Sequence, residues 1–298
     1  MGKMFEALRK AEKDKIEEPR EEPIKTTVEN AVLDTKLVSF FQPGSIVAEQ
    51  FRKLRTYLFR PGLQNPPKTI LVTSAFSGEG KSLIATNLAI SIAIELNSYA
   101  LLVDCDLRNP TLSRWFGVQE SKGLSDYLLE KSELPDLLVK TQVEKLSILC
   151  GGSSQENPVE LVASKRMELL VEELKSRYHD RYIILDSSPI LATTEPNVLD
   201  KMVDGIILVV RAGETPRESV QEAIKLLKTD KIIGVVLNDM EFKSSALHSR
   251  YFGTSRYYRD YGYSQSIRPL TIREEIISQL KKPMASSLWK KIMRREKQ

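Results

Sequence analysis

The chain has 298 residues, 41% of them hydrophobic and 28% charged, and this length can bury the core of one domain of about 200 to 250 residues plus tails. Forty-four Lys and Arg residues against forty Asp and Glu leave a net charge of +4, too small over this length to argue for nucleic-acid binding. The two cysteines, Cys105 and Cys150, lie in apolar stretches and favour reduced, buried thiols over a disulfide framework.

The N-terminal region predicts a short helix followed by a solvated linker. Apolar residues at helical spacing occur in the first dozen positions, namely Met4, Phe5, Leu8 and Ala11. The stretch Glu12–Pro23 then contains six acids, three bases and two prolines. We assign residues 1–44 to this helix and a disordered linker. Nothing here resembles a signal peptide, and no run approaches the roughly 18 apolar residues of a membrane span, so we expect a cytoplasmic protein.

A second amphipathic helix is predicted from Ser45 to Phe59. Its apolar positions are Ile46, Val47, Phe51, Leu54 and Leu58. The same helix carries Glu49, Arg52 and Arg55 at spacings of three. Taken by themselves, these charges are typical of a solvated helix face.

From residue 69 onward, apolar strand-like runs alternate with helical periods, which is typical of a parallel α/β sheet. The strand-like runs are Thr69–Ser74, Leu101–Asp104, Tyr182–Asp186, Ile206–Val210 and Ile232–Leu237. The helical stretches are Ser82–Leu96, Val159–Arg177 and Arg217–Lys228, long enough for crossovers on either face of the sheet. We therefore predict a doubly wound, mostly parallel sheet flanked by helices, over residues 45–245.

The character of the chain changes after Asp239. Five of the ten tyrosines fall within thirteen residues, at Tyr251, Tyr257, Tyr258, Tyr261 and Tyr263. We assign residues 246–265 to this tyrosine-rich segment and residues 266–298 to a basic tail, which has nine Lys or Arg residues against three acids. By composition alone, the tyrosines and neighbouring arginines could equally be a stacking surface for nucleic acid or a protein interface.

A phosphate-binding loop is the clearest chemical signal. Gly78-Glu79-Gly80-Lys81-Ser82 follows the first predicted strand and opens a helix, so backbone N–H groups at the helix N-terminus would face an anion. Lys81 would hold the β and γ phosphates of ATP, and the Ser82 hydroxyl would bind Mg²⁺. Ala75 stands where the strict motif has glycine. We expect the nucleotide to contact residues from Gly78 through Leu83.

Carboxylates follow two further strands. Asp104 and Asp106 end one apolar run, and Asp186 ends another. Because ligands of open parallel sheets lie beyond the carboxyl ends of the strands, the three carboxylates should converge on the magnesium and phosphates. Asn238 ends the last predicted strand, where its amide could contact the nucleotide base or simply stabilise a turn.

These motifs resemble those of the bacterial tyrosine autokinases that regulate capsule and exopolysaccharide synthesis, P-loop ATPases related to septum-placement and partition proteins. The likeness covers about residues 45–263. Glu49-x-x-Arg52-x-x-Arg55 resembles the subunit-contact motif of that family, and residues 78–82 resemble its phosphate loop. Residues 103–110 and 184–186 resemble its two acidic motifs, and the tyrosine cluster completes the set.

The resemblance implies a role for each motif. Lys81 and Ser82 would bind ATP and magnesium, Asp106 and Asp186 would hold the metal, and Asp104 would orient or deprotonate the attacking tyrosine. The tyrosine cluster would accept phosphate, between subunits of a homo-oligomer such as a ring. Ser77 and Ser188 replace the usual prolines, Cys105 fills a small-residue position, and about 35 residues follow the tyrosines, but no catalytic group is missing.

The resemblance also implies partners. The family works with a transmembrane activator of polysaccharide synthesis, here expected as a separate polypeptide that recruits the chain to the inner face of the membrane. The basic tail could add contact with anionic lipid, and no nucleic acid is expected. Two other classes stay open: a partition-type ATPase switch at the membrane, without tyrosine phosphorylation, and a nucleotide-binding scaffold without turnover.

Overall fold

The structure is a computed structural model that describes residues 26–27, 31–59, 66–95, 97–118, 122–177, 180–227 and 230–240. These residues belong to one compact unit of the chain, which ends at Lys243. The predictions for the first dozen residues, the linker at 12–23, the tyrosine-rich segment and the basic tail lie outside the described residues.

The described residues form eight strands and ten helices. The strands are β1 Thr26–Thr27, β2 Thr69–Ser74, β3 Tyr99–Asp104, β4 Leu138–Lys140, β5 Leu146–Leu149, β6 Arg181–Asp186, β7 Gly205–Arg211 and β8 Ile232–Asn238. The helices are α1 Val38–Phe41, α2 Ile46–Leu58, α3 Lys81–Ala93, α4 Leu112–Trp115, α5 Leu124–Leu128, α6 Leu134–Leu137, α7 Pro158–Val162, α8 Lys165–Arg177, α9 Glu195–Leu199 and α10 Arg217–Leu227.

All eight strands lie in one sheet, in the order β1-β4-β5-β3-β6-β2-β7-β8. Neighbouring strands run parallel except β4 with β5, which are antiparallel. The register places Asp186 of β6 opposite Val72 of β2 on one side and Asp104 of β3 on the other. This sheet confirms the predicted mostly parallel α/β fold and brings the ends of β2, β3 and β6 to one edge.

Both faces of the sheet are covered, because alternate residues of the central strands enter two separate cores. Leu71, Leu101 and Leu185 point to the face that α8 covers, whereas Ile70, Leu102 and Ile184 point to the face that α3 covers. Twelve of the thirteen residues of α3 are buried. A helix buried on all sides is a rigid support, so the loop that leads into it starts from a well-anchored position.

The sequence predicts one continuous helix over Val159–Arg177, and this prediction is wrong because the helix is interrupted. The chain forms α7 and α8 with a break at Ala163 and Ser164. Both the hydroxyl and the carbonyl of Ser164 accept hydrogen bonds from the Met167 N–H, at 3.3 and 3.1 Å. Ser164 therefore caps the start of α8, as serine commonly does at helix N-termini.

The folded domain includes residues on the N-terminal side of the predicted boundary at residue 45. Leu37 is fully buried, and Asn87 of α3 holds the same segment through both ends of its amide. Its Oδ1 accepts from the Ser39 N–H at 2.8 Å, and its Nδ2 donates to the Lys36 carbonyl at 2.9 Å.

The sequence does not predict the short strands β4 and β5, because runs of three and four residues carry little periodicity.

Cys105 and Cys150 are both buried free thiols, as the apolar context of each predicted. Burial raises the pKa of the Cys105 thiol well above its usual value, so this thiol stays protonated at neutral pH. Among the helices that the structure describes, none is long and apolar enough to cross a membrane.

Candidate active site at the carboxyl edge of the sheet

The phosphate loop, residues 75–80, connects β2 to α3. Gly78 and Gly80 both have left-handed backbone conformations, with φ of +85° and +94°, and Gly80 forms the N-cap of α3. A Cβ atom on Gly80 would lie 2.1 Å from Nδ2 of Asn238. Glycine is therefore required at position 80 both by the backbone angle and by the close approach of a neighbouring side chain.

Glu79 anchors the phosphate loop from within, although the sequence assigns it only to the nucleotide contact. Its side chain is buried. One carboxylate oxygen accepts from the Phe76 N–H at 2.9 Å, and the other accepts from the Thr215 hydroxyl. The carbonyl of Glu79 accepts from Nδ2 of Asn238 at 2.9 Å. The loop is thus tied to the ends of both β7 and β8.

Lys81, the first residue of α3, points into a cluster of carboxylates. Its Nζ lies 2.8 Å from Oδ2 of Asp106, 4.0 Å from Oδ1 of Asp186 and 3.3 Å from the Ser82 hydroxyl. Burial of Lys81 acts to lower its pKa, but the carboxylates of Asp186 and Asp106 outweigh it and the pKa is raised. Lys81 is therefore a fixed positive charge, as phosphate binding requires.

Asp104 is fully buried at the end of β3 and holds the loop that follows. Its Oδ2 accepts hydrogen bonds from the N–H groups of Thr111 and Leu112, at 2.8 and 3.0 Å, while Oδ1 accepts from the Asp106 N–H at 3.3 Å. Burial, together with the nearby Asp186 carboxylate, raises the pKa of Asp104 to about 7. This carboxyl group can gain or lose a proton near neutral pH.

Asp186 is fully buried at the end of β6, and neither of its carboxylate oxygens has a hydrogen-bond partner among the described residues. Burial raises its pKa to about 6, although the Lys81 ammonium acts in the opposite direction. A buried carboxylate whose nearest cation, Nζ of Lys81, is 4.0 Å away is costly unless a closer cation or donor completes its environment. Asp186 is therefore suited to bind a cation or a hydrogen-bond donor of a ligand.

The arrangement is suited to a metal that is shared with a ligand, rather than one held by protein alone. Within the described ranges, no three His, Cys, Asp or Glu side chains are grouped closely enough to form a metal site by themselves. Magnesium typically takes one or two carboxylates and completes its shell with water and phosphate oxygens. Asp106, Asp186 and the Ser82 hydroxyl fit this incomplete set.

Two contacts near the site were not anticipated from the sequence. Thr215 follows β7, and its hydroxyl donates to the Glu79 carboxylate. The sequence analysis selected the aspartates because they are polar residues beyond strand ends, and the same criterion applies to Thr215. Glu195 is buried at the start of α9, where its Oε1 lies 3.4 Å from Nε of Arg108. Its other carboxylate oxygen, Oε2, has no partner among the described residues. Only the fold brings residue 195 beside residue 108.

Three predicted site residues lie elsewhere. Glu49, Arg52 and Arg55 are on α2, which packs on α3. Arg52 pairs with Glu49, its Nη2 lying 2.6 Å from Oε2, and Arg55 donates from Nη1 to the Ser91 carbonyl at 2.6 Å.

Leu83 is half-buried in the first turn of α3. The five clustered tyrosines lie outside the described residues.

Comparisons with known proteins find P-loop NTPases and bacterial tyrosine kinases. Residues 65–266 match the ParA family model, described as NUBPL iron-transfer P-loop NTPase. The chain is 33% identical to the tyrosine-protein kinase YwqD of Bacillus subtilis over 226 residues, 74% of this chain and 93% of that protein. It is 29% identical to the succinoglycan biosynthesis transport protein ExoP of Rhizobium meliloti over 74% of this chain, but only 28% of that protein.

A solved structure shows the same likeness in three dimensions. The kinase domain of the Escherichia coli tyrosine kinase ETK matches with a TM-score of 0.64 and 26% identity, over 70% of this chain and 83% of that one. Together with the phosphate loop and the carboxylates around Lys81, these relatives make the chain a nucleotide-binding protein with protein-tyrosine kinase activity. The chain belongs to the bacterial protein-tyrosine kinases of the P-loop NTPase class, whose members are associated with capsule and exopolysaccharide synthesis.

Proposed function

We propose that the chain is an ATP- and magnesium-dependent autokinase that phosphorylates the tyrosines at 251–263 of a neighbouring copy and thereby regulates exopolysaccharide or capsule synthesis and export. The observation that carries this proposal is the buried contact of Lys81 with Asp106, beside Asp186, whose carboxylate oxygens have no hydrogen-bond partner among the described residues. A lysine held by carboxylates at the N-terminus of a buried helix can exchange those partners for the phosphates of ATP.

The nucleotide would be held by the phosphate loop and the first turn of α3. Backbone N–H groups around Gly78 and Gly80 would bind the phosphates, and the ammonium of Lys81 would supply the point charge. Leu83 contributes contact from the first turn of the helix. The amide of Asn238 already touches the loop through Glu79, so a base bound beside it would be positioned together with the phosphates.

Magnesium fits the donors that remain. The hydroxyl of Ser82 and the carboxylates of Asp106 and Asp186 would hold it, and neither carboxylate oxygen of Asp186 has a hydrogen-bond partner among the described residues. When bound, magnesium neutralises charge that develops on the phosphates during transfer. The protein side chains around it keep the phosphates and the incoming tyrosine in line.

Asp104 is our candidate for the group that orients or deprotonates the tyrosine hydroxyl. Its pKa of about 7 suits a base that works at neutral pH. Its Oδ2 is occupied by two backbone N–H groups, so the more weakly bonded Oδ1, 3.3 Å from the Asp106 N–H, is the oxygen that would receive the proton.

Transfer between subunits would require contact through α2. Glu49, Arg52 and Arg55 lie on this helix and are partly exposed, so their charges can also reach a second copy in a homo-oligomer such as a ring. Each phosphotyrosine adds about −1.5 to −2 charges. Phosphorylation of a segment that contains Arg256 and Arg259 would therefore change the electrostatics of such a contact and loosen the assembly.

Partners and location follow from the family resemblance. We propose a separate transmembrane activator that recruits the chain to the inner face of the membrane, with further contact through the basic tail at 266–298. Sedimentation of the full chain, and of a chain truncated after residue 265, with vesicles of anionic lipid measures the membrane contact of the tail. Loss of vesicle binding in the truncated chain supports it, and unchanged binding removes the tail from the proposal.

The central test compares wild type with Lys81→Met in the presence of magnesium and ATP, with phosphotyrosine mapped by mass spectrometry. We expect phosphate on the tyrosines at 251–263 of wild type and none on Lys81→Met. Asp104→Asn is the matched variant, because an amide oxygen can still accept from Thr111 and Leu112 while the charge is lost. ATP hydrolysis with unmodified tyrosines, also in the presence of the membrane activator, would instead support a partition-type ATPase switch.

A further inference from the structure

Arg108 and Glu195 form an ion pair beside the active site, and the mechanism described so far does not use it. Nε of Arg108 lies 3.4 Å from Oε1 of Glu195. The side chain of Arg108 is 49% exposed, whereas that of Glu195 is 1% exposed. A carboxylate buried to this extent is costly, and its second oxygen, Oε2, has no hydrogen-bond partner among the described residues. The fold thus retains a buried negative charge whose side-chain contact, within the described part of the chain, is with Arg108.

Both members of this ion pair lie at the carboxyl edge of the sheet. Arg108 follows Asp106, the carboxylate that contacts the lysine of the phosphate loop, by two residues. Two residues of chain span at most about 7 Å, so Arg108 begins close to that carboxylate. The segment that leads from β6 to Glu195 is tied to the end of β2, because the Ile190 N–H donates to the Ser74 carbonyl at 2.9 Å. The ion pair therefore joins the loop after β3 to the segment after β6, at the same edge as the phosphate loop.

The contact through Nε leaves the outer end of the Arg108 guanidinium available. An arginine carries its N–H donors in a planar fork, and most of them are on the two Nη groups. The side chain of Arg108 makes no other hydrogen bond or ion pair with the described residues. Two adjacent Nη groups match the spacing of phosphate oxygens and bind them bidentately. Glu195 therefore holds the arginine from the buried side, and the exposed side is open to an anion.

The charge of the active site favours a second cation. Lys81 faces three carboxylates, and Asp186, Asp106 and Asp104 all act to raise its pKa. The phosphates of ATP would add further negative charge at the same place. Phosphoryl transfer depends on positive charge close to the transferring group, and an arginine supplies it in many NTPases. Arg108 is an arginine at this edge of the sheet that can supply it here.

We propose that Glu195 is a positioning residue, which holds Arg108 so that the two Nη groups of the arginine bind the γ-phosphoryl group during its transfer to tyrosine. The inference rests on the proposed function, because this phosphoryl group is the one that the autokinase transfers. In that step the tyrosine oxygen forms a bond to the γ-phosphorus, the bond from phosphorus to the departing ADP oxygen breaks, and the phenolic proton passes to Asp104. Arg108 forms no covalent bond. Its charge stabilises the negative charge on the oxygens of the phosphoryl group.

Arg108→Gln tests the arginine, and Arg114→Gln is the matched control. Arg114 is an exposed arginine on α4, which follows the same loop. With magnesium and saturating ATP, we expect Arg108→Gln to form phosphotyrosine at 251–263 about ten- to a hundredfold more slowly than wild type. Loss of one preorganised donor from an enclosed site costs about a hundred- to a thousandfold, and the half exposure of Arg108 reduces that effect. Arg114→Gln should react as wild type does. An Arg108→Gln rate equal to that of wild type would overturn the inference.

Binding of a transition-state analogue separates this role from a general defect of the site. ADP with aluminium fluoride and magnesium imitates the transferring phosphoryl group, whereas ADP alone lacks it. By titration calorimetry, Arg108→Gln should bind ADP as wild type does but should bind ADP with aluminium fluoride about tenfold more weakly. Equal losses for both ligands would mean that the substitution disturbs the nucleotide site as a whole, and the inference would be wrong.

Glu195→Gln tests the positioning role. The amide keeps the size of the side chain and an acceptor for Nε of Arg108, but it removes the charge. We expect the rate at saturating ATP to fall about two- to fivefold, the range for a partly exposed ion pair, with the apparent KM for ATP unchanged. In the Arg108→Gln background the same substitution should have no further effect, because Glu195 acts through the arginine. The same loss in both backgrounds would assign Glu195 to the fold alone and contradict the positioning role.

Wild type separates the inference from the proposed function. Phosphotyrosine on wild type, together with an unaffected Arg108→Gln, contradicts the inference alone. If wild type forms no phosphotyrosine even with the membrane activator, the proposed autokinase is contradicted, and the calorimetry decides about Arg108. Weaker binding of ADP with aluminium fluoride by Arg108→Gln would then still place the arginine at the γ-phosphoryl group, and unchanged binding would remove it from there.

Discussion

The side-chain amide of Asn238 packs so closely against Gly80 that a methyl group at position 80 would lie 2.1 Å from its nitrogen. The same nitrogen donates to the Glu79 carbonyl at 2.9 Å. The end of β8 therefore determines where the phosphate loop lies. Two residues 158 positions apart in the chain act on one feature of the active site.

Gly80→Ala should weaken ATP binding by more than about tenfold, since a left-handed alanine costs about 1–2 kcal/mol and the clash with Asn238 adds to that cost. Gly78→Ala is the matched control. Its φ of +85° imposes a similar backbone cost, but nothing lies within 4 Å of the added methyl group, so a smaller loss, of about fivefold, is expected. Titration calorimetry with ATP measures both variants, and equal losses would show that the Asn238 contact is unimportant.

Thr215→Val should reduce ATP affinity by about fivefold, the equivalent of one hydrogen bond of about 1 kcal/mol. The change removes the hydroxyl that bonds to the buried Glu79 carboxylate while keeping the branched shape of the side chain. Thr215→Ser retains the hydroxyl and should bind ATP as wild type does. Identical affinities for valine and serine variants would mean that this bond does not position the loop.

The metal-free and nucleotide-free protein should lose stability as pH rises from about 4 to about 7. Burial raises the pKa of Asp104 from 3.8 to about 7 and that of Asp186 to about 6. Between these values the folded state binds more protons than the unfolded state, so the free energy of unfolding falls with rising pH. The stabilisation that Asp104 and Asp186 give to the folded state is fully present below pH 3.8, and it is lost as the pH rises through their folded-state pKa values.

Thermal melting in a chelating buffer of constant ionic strength measures this effect, with a higher Tm expected at pH 5 than at pH 8. Asp186→Asn should reduce the difference, because the amide does not titrate. The pKa of Asp204 is lowered from 3.8, so its contribution to the free energy of unfolding is lost only at more acidic pH. It does not change between pH 5 and pH 8. A Tm that rises from pH 5 to pH 8 would contradict the prediction.

Arg55→Ala should destabilise the monomer by about 1–2 kcal/mol, the range for a partly buried hydrogen bond from a charged group. Arg55 joins α2 to the end of α3 through the Ser91 carbonyl and Glu95. Arg52→Ala should cost less than about 1 kcal/mol, because Arg52 bonds to Glu49 and to the Pro43 carbonyl, which lie on or just before its own helix.

Urea unfolding at protein concentrations where the chain is monomeric separates stability from assembly. If Arg55→Ala unfolds as wild type does but changes the sedimentation coefficient at high concentration, Arg55 serves only the contact between subunits. Loss of stability in the monomer would show that the residue also holds α2 on the domain.

Much of the fold was predictable because its strongest signals are local. The runs at Thr69–Ser74 and Ile206–Val210 are rich in Ile, Leu and Val, as is typical of strands buried on both faces, and they appear as the buried strands β2 and β7. The break between α7 and α8 was missed, since the capping serine at 164 lies inside an uninterrupted helical period. Strands β4 and β5 are too short to be recognised by alternation, and pairing with neighbours stabilises them.

The sequence by itself determined the chemistry of the site. Glycines and a lysine before a helix, together with aspartates that end apolar strands, predict phosphate binding, because parallel strands present their carboxyl ends at one edge. Only the tertiary structure decided how these residues are used: Asp104 bonds to the backbone, Asp186 has no hydrogen bond among the described residues, and Asn238 and Thr215 hold the loop. Such contacts join residues far apart in the chain, and burial and distance exist only after the sheet has brought them together.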